Sequence, residues 1–159
     1  MERKQSRQTA VDPDLDEANR LLLAELQADA RVSNAELGRR VGLSAPAVAE
    51  RVRRLEQAGV ITGYRAQVNP AAVGYPLSVI VRVRPAAQQL RKVAELAERT
   101  PEVVECHRIT GEDCFLIRMH LRDVEHLEEV IDQFILFGQT TTSIMQSSPV
   151  DGRPLPLQR

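Results

Sequence analysis

The chain of 159 residues is 43% hydrophobic and 27% charged, with a formal net charge of −1. It is too apolar for a disordered chain, and its longest apolar runs fall far short of the roughly 18 residues that a membrane span needs. The polar opening MERKQSRQTA and the presence of only two cysteines, Cys106 and Cys114, predict a cytoplasmic protein with free thiols rather than a membrane protein or a secreted disulfide scaffold.

Charge is distributed unevenly. Between Arg39 and Arg65 the basic residues Arg39, Arg40, Arg51, Arg53, Arg54 and Arg65 face only Glu50 and Glu56, an excess of four positive charges. From Asn69 onward there are ten basic and twelve acidic residues, so the two halves are expected to meet different partners.

Residues 1–13 are polar, with Arg3, Lys4 and Arg7 forming a basic arm. Leu15, Ala18, Leu22 and Leu26 recur at helical spacing and predict a first helix ending near Asp29. Ser33-Asn34-Ala35-Glu36 has the S-x-x-E form of a capping box, in which hydroxyl and carboxylate satisfy unpaired amides at a helix start. This second helix is short: Gly42 suits a left-handed terminus, and Ser44 offers the N-cap of a third. Pro46 falls in that third helix's first turn, where its missing N–H does no harm, and Val48, Val52 and Leu55 form its inward stripe until Gly59. The β-rich segment 60–68 with Gly63 near its centre predicts a two-stranded wing. Residues 14–68 thus form a winged helix-turn-helix, and Asn69-Pro70 and Gly74-Tyr75-Pro76 mark a linker over 69–76.

The period then changes from helical to two. Leu77, Val79, Val81 and Val83 alternate with Ser78, Ile80, Arg82 and Arg84 in a strand that Pro85 stops. A helix with Leu90, Val93, Ala94 and Ala97 on one face follows, then a strand over 103–110, a Gly111-Glu112-Asp113 connection and a strand over 114–121. Asp123 can cap a helix carrying Leu127, Val130, Ile131 and Phe134, which Gly138 would close before a last strand over 140–146. The order β-α-β-β-α-β over 77–147 predicts a ferredoxin-like α+β domain with both helices on one sheet face. The other face is expected to be apolar and to pair with a second copy. Residues 148–159, with Pro149, Pro154 and Pro156, read as an irregular tail.

A helix that reads DNA must turn a hydrophobic stripe inward and a polar, partly basic one toward the major groove. Opposite Val48, Val52 and Leu55 lie Pro46, Ala49, Glu50, Arg53 and Gln57, flanked by Arg51 and Arg54. Ala45, Pro46 and Ala49 are small enough to let the helix approach base edges closely. Glu50 can accept from cytosine, Arg53 can pair with guanine or a phosphate, and Arg51 and Arg54 suit phosphates. Ser33, Asn34 and Ser44 set helix N-termini where phosphate oxygens are attracted. Tyr64 and Arg65 on the wing can follow the minor groove or the adjacent backbone.

These stretches resemble the Lrp/AsnC family of leucine- and asparagine-responsive transcriptional regulators. The likeness runs through 30–37, Gly42-Leu43-Ser44, 51–64 and Val68-Asn69-Pro70 with Gly74, and continues in Thr110-Gly111-Glu112 and 140–144. It implies a sequence-specific DNA-binding regulator that dimerises through its sheet, often assembles into octamers of four dimers, and binds an amino acid where dimers meet. No other cofactor is implied. The implied effector residues are Thr110, Gly111, Glu112, Asp113, Cys114, Thr140 and Thr142. One departure stands out: the family turn reads G-x-x-D before an aromatic residue, and here Cys114 occupies the aspartate position, with Asp113 one residue earlier.

No catalytic residues are assigned. His107, His120 and His126 do not combine with Cys106 and Cys114 in any compact metal-ligand spacing, and there is no phosphate loop or nucleophile elbow. The alternative is an enzyme resembling the sirohaem decarboxylases, which share this two-domain architecture. It leaves the clustered Arg51, Arg53 and Arg54 without a task.

Overall fold

The computed structural model describes residues 15–157, so the expected basic arm at 1–13 lies outside the described residues. The chain divides into two compact units. One holds the described residues up to Ala66 together with those from Val150 onward, and the other spans Gln67–Pro149.

The first unit is three helices, α1 (Glu17–Ala28), α2 (Asn34–Val41) and α3 (Ala45–Gln57). Each begins at a side-chain cap. Asp16 accepts from the Asn19 amide, Ser33 from Glu36 and Ser44 from Ala47. Gly42, at φ 72°, supplies the left-handed turn that lets α3 follow α2 at once. Gly38 on α2 is fixed by packing, because a Cβ there would run into the Leu43 carbonyl oxygen. Leu22, Leu37 and Val48, one from each helix, form the core, with Leu26, Val32, Val41, Leu43 and Val52 around them.

Two expectations for this unit need correction. Half of the capping box forms: the Ser33 hydroxyl takes its amide, but the Glu36 carboxylate turns to Arg39 and Arg40, whose charges outbid a neutral amide. No wing forms among the described residues, since 62–69 carry no strand. The Val60 and Ile61 amides return to the Leu55 carbonyl to finish α3, and what remains has no strand opposite with which to build a ladder. The tail after Pro149 is irregular, as its prolines dictate, yet it is anchored. The Leu155 amide donates to Gln27 Oε1 at 2.8 Å, and Gln27 Nε2 donates to the Leu155 carbonyl at 3.2 Å.

The second unit opens with a short 3-10 helix at Ala71–Val73. It continues as β1 (Leu77–Pro85), α4 (Leu90–Arg99), β2 (Val103–Arg108), β3 (Phe115–Leu121), α5 (Val124–Ile135) and β4 (Gly138–Ile144). The strand order is β2-β3-β1-β4 with every neighbouring pair antiparallel, the ferredoxin-like arrangement. Val79, Val81 and Val83 of β1 stand opposite Met119, Ile117 and Phe115 of β3, and all six are buried with Val93 and Leu96 of α4 and Val130 and Phe134 of α5.

Gly138 does not close α5, which ends against Leu136; it is the first residue of β4 and lies against the Arg84–Pro85 backbone of β1. The sheet face away from the helices is not an apolar surface. It carries Ser78, Arg82, Arg84, Arg118 and His120 around the half-buried Ile80 and Leu116.

Candidate nucleic-acid interface and effector region

On α3 the inward stripe is Val48 and Leu55, both buried, with Val52 half-buried against the same core. The opposite edge exposes Pro46, Ala49, Arg53 and Gln57, with Ala45 and Glu50 half-buried. Ser33 and Asn34 at the start of α2, and Ser44 at the start of α3, are all exposed. Each serine hydroxyl already satisfies one amide of its helix's first turn.

The arginines are not equivalent. Arg51 is half-buried and reaches back to the cap of α1, donating to Asp16 Oδ2 at 2.6 Å and Asn19 Oδ1 at 3.1 Å. This bond joins α3 to α1. The Asn19 amide and the Arg51 guanidinium together hold the Asp16 carboxyl below the usual carboxylate range. Arg53 and Arg54 lie out on the edge, and both are gripped by Glu50. Arg53 Nε and Nη2 reach its two carboxylate oxygens at 2.7 to 3.1 Å, and Arg54 Nε donates at 2.8 Å. Those bonds lower the Glu50 pKa, Arg53 contributing most. Tyr64 and Arg65 are exposed, with the Tyr64 hydroxyl donating to Glu56 at 2.9 Å; its pKa is raised, first by burial and then by that carboxylate.

In the second unit, 109–114 connects β2 to β3, with Gly111 at φ 111°. Thr110, Gly111 and Glu112 are exposed and Asp113 is half-buried. Glu112 pairs with Arg84, while the Asp113 carboxylate sits 3.5 Å from Arg82 and 3.9 Å from Arg84. Cys114 instead packs against the core, and its amide donates to the Val83 carbonyl. Asp113, one residue before Cys114, thus stands on the face of Arg82 and Arg84.

The threonines part company with these acids. Thr140 and Thr142 stand opposite Val83 and Val81, so they share the helix-covered face, whereas Gln139 and Thr141 stand opposite Arg84 and Arg82 on the other. Arg82, Arg84 and Thr141 share the face of these acids and were not among the residues singled out from the sequence. The signal for the arginines was present, as the outward positions of the two-residue repeat in β1. Among the described residues no group of three or more His, Cys, Asp or Glu could hold a metal ion.

The AsnC-type helix-turn-helix domain matches residues 15–56, and the Lrp/AsnC ligand binding domain matches residues 78–155. The chain belongs to the Lrp/AsnC family. The transcriptional regulator LrpA of Mycobacterium tuberculosis is 36% identical, over 86% of this chain and 89% of that protein. The crystal structure of Bacillus subtilis LrpC superimposes with a TM-score of 0.82 at 32% identity, covering 87% of this chain and 99% of that one. The Neisseria meningitidis regulator NMB0573 in complex with L-Met gives 0.84 at 28% identity, covering 90% and 97%. An Lrp/AsnC protein is a DNA-binding transcriptional regulator, and these regulatory relatives favour that reading over the decarboxylase. No helix among the described residues is long and apolar enough to cross a membrane.

Proposed function

We propose that this Lrp/AsnC regulator docks α3 in the major groove and changes its operator affinity when an amino acid binds near the β2–β3 connection. The observation that carries the docking is the division of α3 into a stripe of Val48, Val52 and Leu55 packed on its own core and an outer edge of Pro46, Ala49, Glu50 and Arg53. The small residues set the approach distance and Arg53 is the base- or phosphate-contacting group. Ser33, Asn34 and Ser44 position the backbone on phosphates, with Arg54, Tyr64 and Arg65 at the margins. Arg51 has a different part, holding α3 on α1 through Asp16.

An amino-acid zwitterion needs cations for its carboxylate and an acceptor for its ammonium. Arg82 and Arg84 beside Glu112 and Asp113 supply both within one cluster. The methionine bound to the Neisseria regulator supports a ligand of this class. Self-association of the exposed sheet face, centred on Ile80 and Leu116, gives the dimer, and further assembly toward an octamer places several α3 helices at fixed spacing. The reading requires no cofactor beyond the effector.

A gel-shift titration against DNA upstream of the protein's own gene, with each amino acid added in turn, tests this. At least one amino acid is expected to shift the affinity, by about five- to 150-fold in the usual range of coupled sites. Asp113→Asn is expected to abolish the shift and leave effector-free binding in place. A response unaffected by that change would place the effector elsewhere.

A further inference from the structure

We propose that Glu50 is a specificity-determining residue, whose carboxylate competes with DNA for Arg53 and Arg54 and so suppresses binding to sequences that are not operators. The proposal rests on the docking of α3 in the groove. Every arginine of α2 and α3 is paired in the free protein: Arg39 with Glu36, Arg40 with Glu36 and Glu25, Arg51 with Asp16, and Arg53 and Arg54 with Glu50. The basic excess visible along the sequence is therefore largely neutralised in space.

These pairs do different work. Arg40 and Arg51 reach carboxylates at α1, so they bind the helices to one another. Glu50 lies on the same helix as its two partners, three and four residues ahead of them, and fixes no tertiary contact through them. That spacing and order favour the pairing on a helix. The Arg53 and Arg54 side chains are 57% and 73% exposed, so their shared carboxylate is the remaining obstacle between them and an approaching polyanion.

Non-specific affinity comes from cations that displace counterions from phosphates. An arginine held by a carboxylate has to leave it first, and the carboxylate left behind then faces the phosphates. On an operator, hydrogen bonds from Arg53 to acceptors on base edges and from a cytosine amino group to Glu50 offset that loss. On other sequences they do not. Exposed pairs of this kind are weak, so DNA can break them where it offers something better.

The test is fluorescence anisotropy with two labelled duplexes of equal length, the upstream DNA and a scrambled sequence, between about 50 and 200 mM salt. Glu50→Gln is expected to bind the scrambled duplex about tenfold more tightly, with a salt slope steeper by about one to two, one for each arginine released to a phosphate. Upstream DNA should gain less, so the specificity ratio falls, while Glu50→Asp stays between the two. In the background of Arg53→Ala with Arg54→Ala, Glu50→Gln should leave the salt slope unchanged, any gain in affinity being only the relief of repulsion between a bare carboxylate and the phosphates. Unchanged affinity and slope on the scrambled duplex overturn the proposal, and so does a loss confined to upstream DNA, the mark of a plain base contact. If Arg53→Ala weakens binding while Glu50→Gln has no effect, the competition fails and the docking stands. If Arg53→Ala has no effect on either duplex, both fail.

Discussion

Gly138→Val should destabilise the sheet unit by about 3 kcal/mol, at the upper end of what overpacking usually costs. A Cβ built at this position collides with the Arg84 carbonyl oxygen and stands 2.7 Å from Pro85 Cα. These are backbone atoms of the neighbouring strand, so no rotamer change relieves the clash. Pro85 is paired with Gly138, and the adjacent Ala86 amide donates to the Phe137 carbonyl. Relief must come from fraying this end of the ladder, which loosens the strand carrying Arg82 and Arg84. Urea unfolding followed by circular dichroism reads the loss. A midpoint equal to wild type would show that the two strands do not meet as closely as described.

Leu22→Ala is expected to act on the other unit. Leu22, Leu37 and Val48 are its fully enclosed cluster, one side chain per helix. Truncating a buried leucine costs about 2–5 kcal/mol, and a lobe this small has little more stability than that. DNA binding should be lost while the β-sheet persists, so the two units unfold in separate transitions. Hydrogen exchange resolved by peptide checks this: amides of α1–α3 lose protection and those of β1 and β3 keep it. Loss of protection in both units together would make the chain one cooperative body.

Most of the architecture was legible because its signals are local. A serine or aspartate before an amphipathic run marks a helix start wherever the run packs, and Ser33, Ser44 and Asp123 all accept the expected amides. The alternation in β1 sorted Val79, Val81 and Val83 inward and Arg82 and Arg84 outward without any knowledge of the partner strand. Features that depend on a distant partner were not legible. The Arg82–Thr141 pairing rests on a register set between strands almost 60 positions apart, and a one-residue slip exchanges every side chain between faces. Thr140 and Thr142 were grouped with Glu112 and Asp113 for lack of that register. Gly138 carries a helix-stop signature, and only the approach of Arg84 and Pro85 reveals its other purpose. The preference of Glu36 for two arginines over an amide, and the hold of Gln27 on Leu155, are likewise choices among partners that folding brings together.

On the proposed reading, the outer edge of α3 contacts DNA through Arg53. That contact is tested most directly by the salt dependence of binding to the upstream duplex for wild type and Arg53→Ala. The substitution should cost about 1–3 kcal/mol if Arg53 pairs with a base, or flatten the log–log salt slope by about one if it pairs with a phosphate. Identical affinity and slope for the two proteins would contradict the account.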